Sequence, residues 1–223
     1  MKKLSNPGVP NFEKSEAYNL AKEKLIKSGC SEDNTHGIVD GILDAEFSGI
    51  KSHGFHYLPI YCNHLKIGKI KGNSISSFEK ISNSALKVNA DNGFAHSAIN
   101  KGFPLLFEMC SKEAISCMSV YNSYNCGVLG FHTKQIAEKG FLGFGFTNAP
   151  ASIAPHGGVK PVVGTNPFSL AVPHQGRASI IIDQSASVVA KSEISVRAKS
   201  GESIPDGWAF DSKGNTTNNA IEA

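Results

Sequence analysis

Lys51-Ser52-His53-Gly54 sets an imidazole beside a hydroxyl in a short polar break between two apolar-periodic stretches, where a side chain can project from a turn. An imidazole, with an unperturbed pKa near ~6.5, holds or releases a proton at working pH and suits proton transfer to a carbonyl oxygen. Taken alone, the segment reads first as a surface or capping histidine. His56 is spaced from His53 like a metal pair on a helical turn, but no third ligand is evident, so no metal is expected.

A second set of candidates lies late in the chain. Gly164-Thr165-Asn166-Pro167 links two strand-like runs, and Pro167 biases Asn166 toward extended backbone. Such a turn fixes amides and a hydroxyl for a ligand; it is equally a plain hairpin turn. The run from Ser179 to Ile182 reads as a buried strand ending in Asp183, followed by Ser185 and Ser187, with a helix opening at Val188. Free amides at a helix start, flanked by hydroxyls, favour a phosphate, and capping by serine or aspartate accounts for the same pattern. No G-x-G-x-x-G follows a strand, and there is no Walker lysine and no G-x-S-x-G elbow. Gly140, Gly143 and Gly145 sit inside a strand pattern and open no helix, so they do not make a dinucleotide loop.

Three helices are expected to position the first group. Ala17, Leu20, Ala21 and Leu25 share one helical face that ends at Gly29; Ser31, with Glu32 and Asp33 behind it, opens a second helix through Val39, Ile42, Leu43 and Phe47 to Gly49. Leu58, Tyr61, Cys62 and Leu65 form a third stripe, with Pro59 near its start and Gly68 at its end. Strands are expected at 85–88, 115–121, 141–147, 161–163, 168–172 and 179–182, with a turn at Asp91-Asn92-Gly93. Helices are expected around Ala98 to Leu106, where Pro104 should kink the helix or lie early in a new turn, and from Val128 to Lys139. This is an α/β (α+β) chain with an N-terminal helical part, residues 1–72, and a sheet domain, residues 73–223.

The composition fits that picture. Hydrophobic residues make up 40% of the 223 positions and charged residues 18%, as in ordinary globular proteins, and the net charge of +3 is scattered rather than clustered. Nucleic acid and membrane surfaces are therefore not expected partners. Cys30, Cys62, Cys110, Cys117 and Cys126 form no C-x-x-C pair and predict reduced thiols. Leu4 to Phe12 has no apolar core and does not read as a signal peptide, so the expected location is the cytoplasm.

In this order, several segments resemble the malate/L-lactate dehydrogenase-like family of nicotinamide-dependent, non-Rossmann oxidoreductases. They are Ser52-His53-Gly54, Asn122-Ser123 with Gly127, Thr147-Asn148-Ala149-Pro150 with Ala154-Pro155 and Gly157-Gly158, Gly164-Thr165-Asn166-Pro167, Ile182-Asp183, and Ile204-Pro205-Asp206-Gly207-Trp208. The likeness runs from about Phe12 to the last residue. It implies a mixed, largely antiparallel sheet that holds NAD or NADP, a homodimer, and hydride transfer on a small 2-hydroxy or 2-oxo acid such as malate, lactate, sulfolactate or ureidoglycolate. Alternatives are a cyclic imino acid reductase and a non-catalytic fragment or binding module.

The resemblance makes His53 the acid that protonates the substrate carbonyl, with Ser52 beside it. It places Asn148, Ala149, Gly164, Thr165, Asn166, Asp183, Ser185 and Ser187 along the cofactor. Two positions depart from the family pattern. Asn125 stands where a second, catalytic histidine is common, in Asn122-Ser123-Tyr124-Asn125-Cys126-Gly127, and Tyr57 stands where an arginine often is. The catalytic candidates are thus Ser52, His53 and Asn125, with His56 and His132 as rival acids. The family also continues past Ala223, so the sheet domain is expected to be incomplete and the stripe of Leu20, Leu25, Val39, Leu43 and Phe47 to be left partly open.

Overall fold

A computed structural model describes residues 12–223 of the chain. The N-terminal reading of residues 4–12 therefore falls, up to Asn11, outside the described residues. The described chain forms two compact units, one ending at Gly127 and the other starting at Val128. The change from helices to strands does follow Gly72, but the chain there stays packed in the first unit. The Gly72 carbonyl accepts the Ser31 N–H at 3.0 Å and the Asn34 side-chain amide at 3.1 Å, and a Cβ on Gly72 would lie 2.0 Å from the Gly29 carbonyl oxygen.

The first unit opens with α1 (Lys14–Lys27), α2 (Glu32–Phe47) and, after two 3-10 turns, α3 (Leu58–Lys66). A capping box between Glu13 and Glu16 starts α1, and Gly29 follows its end at a φ of +102° that favours glycine. The apolar stripes of the three helices meet in one core of Ala17, Ala21, Leu25, Ile38, Val39, Ile42, Leu58, Tyr61 and Leu65. This corrects the expectation of an open stripe: Leu25, Val39 and Leu43 are buried because the helices pack on one another, and of that set only Phe47 is well exposed. β1 (Ser77–Lys80) pairs antiparallel with β2 (Ala85–Asn89), and β2 pairs parallel with β3 (Cys117–Tyr121) across α4 (Ala95–Glu113). The turn at Asp91 and Asn92 takes up the positive φ that these residues tolerate. α4 runs on through Pro104, with Phe103, Leu106 and Met109 buried beside it.

The second unit places α5 (Leu129–Glu138) against a wholly antiparallel sheet of β4 (Gly143–Phe146), β5 (Phe168–His174) and β6 (Arg177–Gln184). Ser169 and Ala171 are fully buried on the α5 face, where Gly143 and Gly145 let the helix approach. Two expectations change here. β6 is not a buried strand: Ile180, Ile181 and Ile182 are 54%, 43% and 41% exposed, because β6 is the edge strand of its sheet and α5 covers one face only. Residues 161–163 form no strand either; Val163 makes one isolated bridge to Ile153, since Pro161 has no N–H for a ladder. α6 (Lys191–Ser200) and a two-residue pair, β7 (Ala209–Phe210) with β8 (Thr216–Thr217), complete the described chain. The helix after β6 therefore opens at Lys191 and not at Val188.

Candidate functional site

In the first unit, α2 ends at Ser48 and Gly49, and the chain turns at once into Lys51–His53. Glu46 holds this turn from behind, its Oε2 accepting the Phe55 N–H at 3.0 Å. A Cβ on Gly54 would lie 2.1 Å from that Glu46 oxygen and 3.3 Å from the Glu46 Cα, so a larger residue there would push the Glu46 carboxylate off the Phe55 N–H. Ser52 Oγ lies 3.1 Å from His53 Nδ1, and the half-buried imidazole stacks on Tyr57 with centroids 5.4 Å apart and planes 13° apart.

Tyr57 leads one helical turn onward to Tyr61, 5.4 Å away between centroids. Tyr61 is 1% exposed, and its phenol donates to Asn125 Oδ1 at 3.1 Å. The same oxygen accepts the Gly127 N–H at 2.6 Å, and Gly127 takes a φ of +67°. Tyr61 also meets Phe94 and Tyr124 edge to face, and the Tyr124 hydroxyl lies 2.6 Å from His64 Nδ1. The fold thus joins the Ser52-His53-Gly54 turn to the Asn122–Gly127 segment through two tyrosines. Tyr61 was legible only as a core residue; the i, i+4, i+8 series His53, Tyr57, Tyr61 was the signal that could have found the chain.

The electrostatics keep these phenols protonated. Burial raises the Tyr57 hydroxyl above its usual range. Burial, then the neighbouring Tyr57 and Tyr124 phenols and Cys126, push Tyr61 well up. Tyr124 is raised by burial and then by Tyr57. Both Tyr57 and Tyr61 are therefore neutral donors at any working pH. His64 is lowered, first by burial and then by Lys69. Of the rival acids, His56 meets the edge of Tyr57 at 6.3 Å, and His132 is buried within α5 beside Phe131. Among the described residues no group of three or more His, Cys, Asp or Glu is arranged to hold a metal ion.

In the second unit, the eight residues read as cofactor contacts gather at one end of the β4-β5-β6 sheet, where Phe146, Phe168 and Gln184 are in register. The Ala149 N–H donates to Asn166 Oδ1 at 2.9 Å, the Thr147 N–H to the Pro167 carbonyl at 3.2 Å, and the Ala186 N–H to the Thr165 carbonyl at 2.8 Å. Three loops are so closed on one another. A Cβ on Gly164 would lie 2.1 Å from the Ala149 carbonyl oxygen, which makes that glycine obligatory.

Asn166 is not extended as Pro167 had suggested; its φ is +31°, a conformation its side chain supports by bonding Ala149. Ser185 and Ser187 do not cap a helix. Their hydroxyls lie 2.5 Å apart, Ser185 Oγ accepts the Ser187 N–H at 3.0 Å, and Ser187 Oγ donates to the Val189 carbonyl at 2.8 Å, so they shape the turn ahead of α6. Asp183 is turned to the α5 face, where its Oδ2 accepts the Gly130 N–H at 2.7 Å. The Asp183 carboxylate is thus engaged with α5, while the hydroxyl and peptide groups of the other named residues line the loop end.

Comparison with known proteins bears on the family and the fold. A family profile described as malate/L-lactate dehydrogenase matches residues 12–223. The (2R)-3-sulfolactate dehydrogenase (NADP(+)) of Chromohalobacter salexigens is 33% identical over 202 residues, 91% of this chain and 60% of that protein. A Delta(1)-pyrroline-2-carboxylate reductase of Burkholderia multivorans is 30% identical over 202 residues, 91% of this chain and 59% of that protein. The crystal structure of delta1-piperideine-2-carboxylate reductase from Pseudomonas syringae pvar. tomato superposes with a TM-score of 0.91 at 23% identity, covering 96% of this chain and 64% of that one, so the two share one α/β fold. The chain thus spans about 60% of the length of the curated relatives it matches. With the profile spanning every described residue, the chain belongs to the malate/L-lactate dehydrogenase family.

Proposed function

We propose that the protein is an NAD(P)-dependent oxidoreductase that transfers a hydride between the nicotinamide and a small 2-hydroxy or 2-oxo acid. The observation that carries this is the His53 site: an imidazole held by the Ser52 hydroxyl at 3.1 Å and by stacking on Tyr57, in a member of a dehydrogenase family. When bound, a reduced nicotinamide would supply the hydride that the carbonyl carbon receives. As charge builds on the carbonyl oxygen, the His53 imidazolium gives it a proton, leaving the 2-hydroxy acid; in the reverse direction neutral His53 takes the hydroxyl proton. Ser52 orients the ring, and Tyr57 fixes its plane.

The loops of Asn148, Ala149, Gly164, Thr165 and Asn166, with Ser185 and Ser187, are the proposed cradle for the dinucleotide. Their mutual backbone bonds and the space forbidden to a Cβ at Gly164 support that assignment. Asp183 contributes by anchoring α5 to β6. A homodimer and a cytoplasmic location belong to the same proposal; no described helix is long and apolar enough to cross a membrane.

Reduction of a cyclic imino acid is the second reading, favoured by the relative named as a pyrroline-2-carboxylate reductase. It uses the same hydride and the same acid, with nitrogen receiving the proton. The test is oxidation of NADH and NADPH by the full-length protein with a panel of 2-oxo acids and cyclic 2-imino acids. Turnover of the first class supports the main reading, turnover of the second alone supports the other, and no turnover with either overturns both.

A further inference from the structure

Asn125 is held in one orientation. A backbone N–H can only donate, so the atom 2.6 Å from the Gly127 nitrogen has to be the amide oxygen. Tyr61 confirms that choice from the other side, because burial keeps its phenol protonated and it donates to the same oxygen at 3.1 Å. Oδ1 therefore has both of its acceptor positions engaged by the protein. The Nδ2 group, with two N–H donors, points away from these bonds on a residue that is exposed. An amide does not titrate in the working pH range, so whatever Nδ2 meets is met by a donor of constant charge. The contacts His53 to Tyr57, Tyr57 to Tyr61 and Tyr61 to Asn125 tie this donor to the proposed acid.

We propose that Asn125 is a specificity-determining residue whose Nδ2 donates a hydrogen bond to an oxygen of the bound 2-oxo acid, and that Tyr61 is the positioning residue that keeps the amide so turned. The inference rests on the reading of this site as the place of substrate reduction. It accounts for two features together: an exposed polar side chain fastened by two bonds, and a buried phenol spent on an asparagine rather than on the backbone. A substrate bearing a carboxylate or carbonyl oxygen matches the donor, and a cation does not.

The test uses the full-length protein, steady-state kinetics and direct titration with oxamate, an unreactive isostere of a 2-oxo acid. Asn125→Asp keeps the acceptor for Gly127 and removes the donor, so KM and the oxamate Kd should rise at least about tenfold, more than kcat falls. Tyr61→Phe keeps the ring in its aromatic cluster and frees the amide, and should raise the same two constants several-fold while the cofactor Kd and the thermal midpoint stay close to those of the natural chain. A purely structural role for Tyr61 would move the midpoint and leave the substrate constants in proportion. If the natural chain turns over and Asn125→Asp binds oxamate and substrate as well as it does, this inference alone is overturned. If the natural chain neither turns over nor binds oxamate, the functional reading fails and takes the inference with it.

Discussion

The carboxylate of Asp183, on β6, accepts a hydrogen bond at 2.7 Å from the backbone N–H of Gly130 in the first turn of α5. The residue that precedes this helix is Val128, whose side chain cannot cap it. Asp183 does so from a strand more than 50 residues further along the chain, placing negative charge where the helix dipole favours it. The approach is close enough that a Cβ on Gly130 would lie 2.9 Å from the carboxylate oxygen.

Asp183→Ala should therefore cost the protein about 1–3 kcal/mol of stability, by leaving the Gly130 N–H without its acceptor and removing the charge. Asp183→Asn, which keeps an acceptor, should lose less. Denaturant midpoints measure both. Cofactor affinity should weaken in the alanine variant, through the β6 end that leads into Ser185 and Ser187; a cofactor titration identical to that of the natural chain removes Asp183 from the cradle.

His53→Asn should lower turnover by ~10²–10⁴-fold, with cofactor affinity retained. The controls are His56→Asn, which should change turnover little, and His132→Asn, which should act on stability because that ring is buried within α5. Turnover against pH at saturating cofactor separates the three. Ordinary rates in the His53 variant would pass the role to His56 or His132.

Gly54→Ala should displace the turn that carries His53, since the new Cβ meets both the Glu46 carboxylate and its Cα. The expected cost is about 1–3 kcal/mol of stability with a fall in kcat. Adding Glu46→Ala should not restore the natural thermal midpoint, because the Phe55 N–H then loses the oxygen it bonds at 3.0 Å. Full restoration would show that Glu46 merely crowds the turn.

His64 gives stability a pH dependence. Its folded pKa is lowered by burial and then by Lys69, so the unfolded chain binds the proton more readily. The contribution is present above the unfolded value of ~6.5 and is lost as pH falls through that value toward the folded one. His64→Gln should flatten this part of the profile. A chemical-denaturation series between pH 5 and pH 8 is the measurement, with pH limits set around that ~6.5 value.

The local elements were legible in the sequence because each carries its own signal over a few residues. The α1 stripe with Gly29 behind it, the start of α2 after Ser31, Pro59 at the head of α3 and the Asp91-Asn92 turn all rest on periodicity and backbone preference, which act within one turn of chain. The family was legible too, because its motifs follow one another in order over residues 12–223. Burial and side-chain partnership were not. Ile180 to Ile182 have the composition of a buried strand, yet which face of β6 is covered depends on where α5 packs. Ser185 and Ser187 look like helix caps, yet the helix begins only at Lys191. Asn125 reads as a lost histidine until Tyr61, 64 positions earlier, is seen bonded to it. Such pairings are set by the packing of whole elements, and no local pattern of residues records which distant side chain will arrive.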